Sequence, residues 1–465
     1  MLNNQNKQSN NCKNEKERDN KYIAYKNPIN LYNNINKHYH PNNFNLQNIF
    51  SNLNQQYKFN NNNNEKNKII VGEQYLYENK ANINPNIINN IIKANEKQST
   101  INYNIQLYNK IAPCNKIDKN IPIDVNSNNN IPIILQNVGN TTYLNTVIRC
   151  LVCIIGFYNY YLENQHIIKN NQEKIPITYF FSRIIVHLFQ SNGKNFYSLD
   201  KFHKILIYCN PIFRGKSTKN AIDFLIYLIG QLHEDYITIN KKDNENSIRE
   251  ADCHNIEKYK QYLKEKEISN VFNEFSWISK NEEICWECNK KIITYKIFNT
   301  YDLDFEYALN KAILANKKEI SILDCINIAS EEKSIYNVFC ENCSRKNNFK
   351  KKSTIYSSKK TFIFLIRGIE KKEIINEIRS YQIKIKINKN LNIYKKANTN
   401  KYYSLYGLIL YDTEKLEYIA YCINPINKKW YKYTKEEVVF AELSDLLNKN
   451  DFQLFPTILF YRVNN

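Results

Sequence analysis

Apolar positions follow two regimes along this chain. Up to about residue 130 they occur as isolated patches, such as Ile69-Ile70-Val71 and Ile87-Ile88, with no sustained period around them. From Ile131 to Asn465 apolar and aromatic density rises and stays high. The change sets a boundary. A segment without an apolar face has nothing to offset the roughly 1–2 kcal/mol per residue that ordering its backbone costs. The second segment is long enough for a sizeable core. Within it Leu144, Val147, Ile148, Leu151 and Ile155 recur at helical spacing. Ile292 to Tyr301 reads as a strand, and Ser321 to Ala329 as a helix.

Composition reinforces the boundary. The first 130 residues hold 40 Asn, including the run Asn60 to Asn64, and are read as a low-complexity, mostly disordered arm. The formal charge of +20 invites a nucleic-acid reading. The Lys residues are spread along the chain, however, and abundant Asn, Lys, Ile and Tyr with only 8 Gly and 10 Pro is what an AT-rich coding sequence produces. Direct nucleic-acid binding is therefore not expected. MLNNQNKQSNN lacks the apolar core of a secretory leader, and the longest apolar run, Cys150 to Phe157, is too short to span a bilayer. An intracellular protein, cytoplasmic or nuclear, is expected, with its 12 Cys as reduced thiols or metal ligands.

Two cysteine pairs share one spacing, CWEC (Cys285, Cys288) and CENC (Cys340, Cys343), with 51 residues between them. Two such knuckles supply four thiolates, which suits a closed tetrahedral structural zinc. The interval exceeds an ordinary ribbon loop, so a finger subdomain with an elaborated insertion is expected. Cys150 and Cys153 have the same spacing but lie in the apolar helical run, where thiols fill core.

LQNVGNTTYLNTVIRCL (residues 135–151), together with the knuckles, resembles the ubiquitin-specific proteases, papain-like cysteine enzymes built of thumb, palm and fingers. The family's cysteine box runs Asn-Leu-Gly-Asn-Thr-Cys-Tyr-Met-Asn-Ser; here Asn137 to Thr146 reads NVGNTTYLNT. KNAIDFLIYLIGQLHED (residues 219–235) is similar to the family's Gln-Asp-Ala-x-Glu-Phe-Leu helix, with Lys219-Asn220 replacing Gln-Asp and Asp223 replacing Glu. VFNEFSW, TFIFLIRG, YSLYGLILY, EYIAYCINPINKKWYKY and PTILFYRV follow in family order. The resemblance implies an α+β fold after the arm. Its thumb would span about residues 131–265, zinc-ribbon fingers about 270–360, and the closing palm strands about 361–465.

The same resemblance exposes a loss. The nucleophile position holds Thr142. The family's Gly-His-Tyr, which carries the base, falls on Leu416-Glu417-Tyr418, and the orienting acid falls on Lys435. No register shift restores the base, because all seven His (His38, His40, His166, His187, His203, His233, His254) precede residue 255. A hydroxyl is also far harder to deprotonate than a thiol of pKa about 8.5. Asn137 falls where the family binds the oxyanion; it reads equally well as a cap on the turn before the helix. Oxyanion binding alone sustains about 10³–10⁴ over water, against losses near 10⁶ when nucleophile and base go. Useful turnover is not expected. The exchanged charges suggest a Glu417–Lys435 ion pair.

Asp223 matches an acidic residue that contacts the basic ubiquitin tail, and Leu416 replaces a glycine beside that tail. The resemblance thus implies a ubiquitin-binding or scaffold protein without catalysis, with ubiquitin or a ubiquitinated protein, and a larger complex, as partners. Two other readings stand beside it: a working deubiquitinase using Thr142 or an unrecognised nucleophile, and an assembly subunit of an RNA-processing complex.

Overall fold

A computed structural model describes residues 132–190, 196–215, 219–240, 255–265, 269–393, 402–448 and 452–464. All of them fall within the unit Glu96–Asn465. The low-complexity arm, its patches Ile69-Ile70-Val71 and Ile87-Ile88, and His38, His40 and His254 lie outside the described residues.

After a short strand β1 (Ile134–Gln136) come helices α1 (Thr142–Val152), α2 (Ile155–Glu163), α3 (Gln165–Asn170) and α4 (Pro176–Gln190). Strand β2 (Phe196–Ser198), paired in parallel with β1, leads into α5 (Asp200–Cys209), α6 (Ala221–Asn240), α7 (Ile256–Glu265) and α8 (Asn270–Phe275). The apolar spacing through Ile155 does not make one helix. It breaks at Cys153, and Ile154 N–H turns back to the Leu151 carbonyl.

Strands β3 (Trp277–Cys285) and β4 (Lys291–Phe298) then form a four-stranded antiparallel sheet with β7 (Lys333–Cys340) and β8 (Arg345–Ser358), in the order β4-β3-β8-β7. Between β4 and β7 the chain leaves this sheet through β5 (Tyr301–Leu303), α9 (Phe305–Leu314), β6 (Glu319–Ser321) and α10 (Ile322–Ala329). The strand expected over 292–301 is therefore divided. Its end, β5, pairs in parallel with a strand of the large sheet, β9 (Thr361–Ile366). The expected helix at 321–329 is α10, begun by a reciprocal cap in which Ser321 Oγ accepts from Asp324 N at 3.1 Å while Asp324 Oδ2 accepts from Ser321 N at 2.9 Å. The insertion does not elaborate the finger sheet. Its Phe305, Leu309, Ile322 and Ile326 pack in one cluster with Phe362, Phe364 and Leu459 of the large sheet.

The remaining elements are α11 (Lys372–Tyr381), β10 (Lys384–Lys386), β11 (Asn390–Asn392), β12 (Tyr402–Asp412), β13 (Glu417–Ile423), β14 (Trp430–Tyr433), β15 (Val438–Phe440), α12 (Leu443–Asn448) and β16 (Leu454–Val463). The large sheet runs β15-β14-β13-β12-β16-β9-β5, with β11 added beside β12. Side chains alternate across a strand, so TFIFLI sends Ile363 and Leu365 to a core shared with α1–α6, and Phe362, Phe364 and Ile366 to a second core shared with α9–α11. A sheet covered on both faces explains why all six positions of β9 are buried and why, after Thr361, Phe362 to Ile366 are all apolar. Among the described residues no helix is long and apolar enough to cross a membrane.

Candidate functional site

The candidate site is the start of α1 and the strands that cover it. Gly139 adopts φ +71°, a left-handed conformation that glycine takes without strain. It turns the chain from β1 into the helix. Asn137 holds this turn: its Oδ1 accepts from Thr141 N at 3.2 Å and from Thr141 Oγ1 at 2.7 Å, and its Nδ2 donates to the Gly139 carbonyl. Both ends of the amide are thus engaged within the loop. The next helical turn locks onto the core through Tyr143, which meets Phe224 edge-on at 5.6 Å and stacks with Phe213 at 6.2 Å.

Every residue of α1 is buried. Its polar stripe, Thr142, Asn145, Thr146 and Arg149 at i, i+3, i+4 and i+7, faces β1, β13 and β14, with Asn145 Nδ2 donating to the Leu135 carbonyl at 3.0 Å. Thr142 is 4% exposed, and its Oγ1 accepts the main-chain N–H of Tyr418 at 3.2 Å. The position that carries a nucleophile in the family's pattern is here a buried tie between helix and strand. The pocket beside it is lined by Thr142, Asn145, Arg149, Tyr418, Tyr433 and Lys435, among others, and no histidine among the described residues lines it.

Glu417 opens β13, directly across from Asp412 on β12. Burial raises its carboxyl above the usual carboxylate range; Asp412 and Glu436 act in the same sense, while Lys415 and Lys435 oppose them. Among the described residues Glu417 and Lys435 form no ion pair within 4.0 Å, contrary to the expectation. The reason is the turn carrying Lys435. Thr434 Oγ1 accepts from Glu436 N and Glu437 N at 3.3 and 3.1 Å, and Lys435 is left exposed at the pocket's mouth. Leu416 takes φ +53° and is 58% exposed, so a leucine occupies backbone space that suits glycine.

Asp223 lies in the first turn of α6, exposed, with Arg367 Nη1 3.9 Å away. Arg367 Nε donates to Asp302 at 2.8 Å, so one guanidinium serves two acids. Asn220 caps the same helix through Oδ1, which accepts from Ile222 N at 2.8 Å. Its Nδ2 reaches Glu370, whose Oε1 accepts the Tyr418 hydroxyl at 2.7 Å. Burial raises the Glu370 carboxyl above its ordinary range. Sequence reading passed over Arg149, Tyr418 and Glu370. The signal for Arg149 was present: a polar stripe at helical spacing inside an otherwise apolar segment.

Cys285, Cys288, Cys340 and Cys343 converge at one end of the four-stranded sheet, their sulfurs all within 4.8 Å of one another. Cys285–Cys343 and Cys288–Cys340 sulfurs are 4.0 and 3.6 Å apart. Tetrahedral Zn–S bonds of about 2.3 Å require sulfurs about 3.8 Å apart, so this donor set fits zinc. Both knuckles turn the same way, with Asn289 and Ser344 after the second cysteines at φ +54° and +53°. The Lys290 backbone N–H is the main influence holding the Cys288 thiol down at about 6, with the Cys343, Asn342 and Cys340 side chains acting in the same sense. Cys150 and Cys153 instead lie in the core, with Cys153 Sγ 3.3 Å from Cys422 Sγ.

The profile of the ubiquitin carboxyl-terminal hydrolase family matches residues 134–461. Human ubiquitin carboxyl-terminal hydrolase 2 is 21% identical over 341 residues, covering 69% of this chain and 54% of that protein. Ubiquitin carboxyl-terminal hydrolase 11 of Saccharomyces cerevisiae is 25% identical over 260 residues, covering 52% and 36%. The chain thus spans about half the length, or less, of these relatives. Among solved structures, a SAGA DUB module bound to monoubiquitin aligns with a TM-score of 0.54 at 16% identity, covering 82% of this chain and 76% of its own. A second, bound to ubiquitin aldehyde, gives 0.52 at 15%, covering 72% and 70%. With its α+β architecture and a family profile matched over most of its length, this chain belongs to the ubiquitin carboxyl-terminal hydrolase family as a ubiquitin-specific protease homologue.

Proposed function

We propose that the chain is a catalytically inactive ubiquitin-specific protease homologue that acts in the ubiquitin pathway by binding ubiquitin or a ubiquitinated protein, or as a scaffold. One observation carries the reading: the Thr142 hydroxyl accepts a buried main-chain N–H from Tyr418 in a pocket that no histidine among the described residues lines. An alcohol needs a close base to attack a carbonyl. Here the positions of base and acid hold Glu417 and Lys435.

The remaining architecture supports retention of a recognition surface. The thumb, finger and palm divisions are proposed at about residues 131–265, 270–360 and 361–465, with zinc held by the four cysteines of the finger sheet. Structural neighbours are multi-protein modules bound to ubiquitin. That supports ubiquitin and a larger assembly as partners, and a location wherever that assembly works, cytoplasm or nucleus. Contact through the broad face is favoured over capture of the tail. Asp223 already faces Arg367, and Leu416 projects where the family keeps glycine.

Calorimetric titration of ubiquitin into the full chain tests the binding claim, with micromolar affinity expected. Absence of heat and of competition would leave only the scaffold role. Incubation with a ubiquitin–fluorophore conjugate tests the inactivity claim. Release of fluorophore that Thr142→Ala abolishes would overturn it.

A further inference from the structure

Strand β15 ends the large sheet, and among the described residues β14 is its one neighbour. Thr434 N donates to the Glu437 carbonyl and Ala441 N to the Trp430 carbonyl, each at 3.0 Å. Main-chain groups of an antiparallel strand point alternately to either side. Residues 437, 439 and 441 therefore face β14, and the N–H and C=O groups of Val438 and Phe440 face outward along a free edge. Val439 and Phe440 are 37% and 58% exposed, and Phe440 meets Tyr431 edge-on at 6.3 Å. An open edge that carries apolar side chains is a template for another strand.

Charge narrows what fits there. Residues 436–445, EEVVFAELSD, hold four acids and no base in a chain of formal charge +20. Among the described residues none of Glu436, Glu437, Glu442 and Asp445 has a Lys or Arg within 4.0 Å. A second copy of this edge would set like charges against each other, whereas a basic strand is complementary. The chain supplies one at short range. Its first described residues enter β1 beside the edge, since Ile134 and Val438 line the same small pocket. Upstream, in an arm otherwise without a sustained period, Ile101, Tyr103, Ile105 and Leu107 alternate with Asn102, Asn104 and Gln106. That is the period of a strand with one apolar face. From Lys97 to Ile111 there are two Lys and no acid, and 24 residues separate Leu107 from Pro132. A random coil of that length spans about 25–30 Å, enough to turn back onto the edge.

We propose that Ile101–Leu107 adds to β15 as a further strand of the large sheet, its apolar positions over Val438 and Phe440 and its flanking Lys97 and Lys110 toward the acids of 436–445. A three-residue edge offers two N–H and two C=O groups, too few to hold an untethered strand. Covalent connection raises the effective concentration to the millimolar range and makes the pairing local to one chain. The added strand covers Phe440, closes the edge to other chains, and brings the arm beside the turn that carries Lys435. None of this depends on whether the chain binds ubiquitin.

The test is hydrogen–deuterium exchange of the full chain, read by mass spectrometry on peptides spanning 101–107 and 438–440. Residues 101–107 should exchange about tenfold more slowly than a free peptide of the same sequence. Phe440→Pro removes only an N–H that faces away from β14, and should return 101–107 to the free-peptide rate. Reciprocally, Ile105→Pro should speed exchange at 438–440. Ile105 lies outside every element of the described fold, so this second variant decides the matter even where Phe440→Pro does not fold. Exchange at 101–107 as fast as in the free peptide overturns the proposal. So does slow exchange there that Phe440→Pro leaves unchanged, which would place the segment elsewhere, or an edge that does not respond to Ile105→Pro. Edge protection that weakens on dilution means that a second copy covers β15, and edge amides that exchange freely leave it open to a partner protein. Either result also overturns the proposal.

Discussion

The bond from Tyr418 N to Thr142 Oγ1 gives the sharpest measure of what the residue at the family's nucleophile position does in this chain. It joins the first residue of α1 to β13 across 276 residues of sequence, in buried surroundings, at 3.2 Å. Valine has nearly the shape of threonine but no acceptor, so Thr142→Val leaves a buried N–H unsatisfied at a cost of about 1–3 kcal/mol. Melting midpoints fall about 2–4 °C per kcal/mol in domains of 150–250 residues, and this one is larger, so a drop of about 2–6 °C is expected. Thr142→Ser keeps the oxygen and removes one methyl group, and should cost about 1 kcal/mol or less. The assay is melting of the full chain followed by circular dichroism. A Val variant within about 0.5 kcal/mol of wild type, with Ser the less stable of the two, would refute the argument. It would show that the hydroxyl holds nothing and is free for chemistry.

Restoring the thiol alone should not restore the enzyme. Thr142→Cys is expected to release no fluorophore from a ubiquitin conjugate, and measurable hydrolysis would reveal a base outside the family's position. Chelation should remove one zinc ion per chain and lower the melting midpoint, since a metal bound only by the folded state stabilises it; an unchanged midpoint would contradict the cysteine site. Leu416→Gly should stabilise the protein by about 0.5–1 kcal/mol. It relieves a left-handed residue costing roughly 1–2 kcal/mol, less the 0.5–1 kcal/mol that glycine's extra unfolded-state freedom costs; a fall in midpoint would show that Leu416 makes contacts worth more. Glu370 has its carboxyl pKa raised by burial, so the folded state binds its proton more tightly than the unfolded chain. Stability from this group is fully present below its unfolded pKa, about 4.3, and is lost as pH rises from there through the folded value. Glu370→Gln should flatten that decline in a pH series of urea midpoints, and an unchanged slope would remove Glu370 as its source.

Much of this architecture could be read from apolar spacing, and the residues that could not be read fail for a common reason. TFIFLI is legible as a strand because both faces of β9 are covered, which leaves no polar position to interrupt it. The matched spacing of Cys285–Cys288 and Cys340–Cys343 is legible because tetrahedral coordination demands it, and the four sulfurs do converge. The split of the 292–301 stretch at Asn299 is not legible, because β4 and β5 have the same local preference and differ only in which sheet accepts them. Arg149 is the instructive case. Its stripe, Thr142, Asn145, Thr146 and Arg149, has a helical period written in polar residues, and a scan for apolar period passes over it. Its Thr142 end is covered by Tyr418 of β13 and its Arg149 end by Tyr433 of β14, strands that come 276 residues and more along the chain, while β1 just before the helix meets Asn145.

That burial also bears on reversibility. In the family's pattern a carboxylate orients the imidazole and stabilises its charged form after it takes the thiol's proton. Here a histidine introduced at position 417 would feel Lys415 and Lys435, with Asp412 directly across on β12 and Glu436 acting in the opposite sense. The two lysines disfavour an imidazolium, and no acid stands at position 435 to orient it. Thr142→Cys with Glu417→His therefore still lacks the charge that makes the pair work. Lys435→Asp supplies it, yet the new carboxylate would share the pocket with Arg149, whose buried charge has no other acidic partner. The guanidinium would compete with the imidazole for the acid. Four positions would have to change together, the fourth being Arg149→Gln. On the reading proposed above, Lys435→Asp without Arg149→Gln sets a new carboxylate against a buried guanidinium, and that electrostatic coupling distinguishes this site from one that lacks only a thiol.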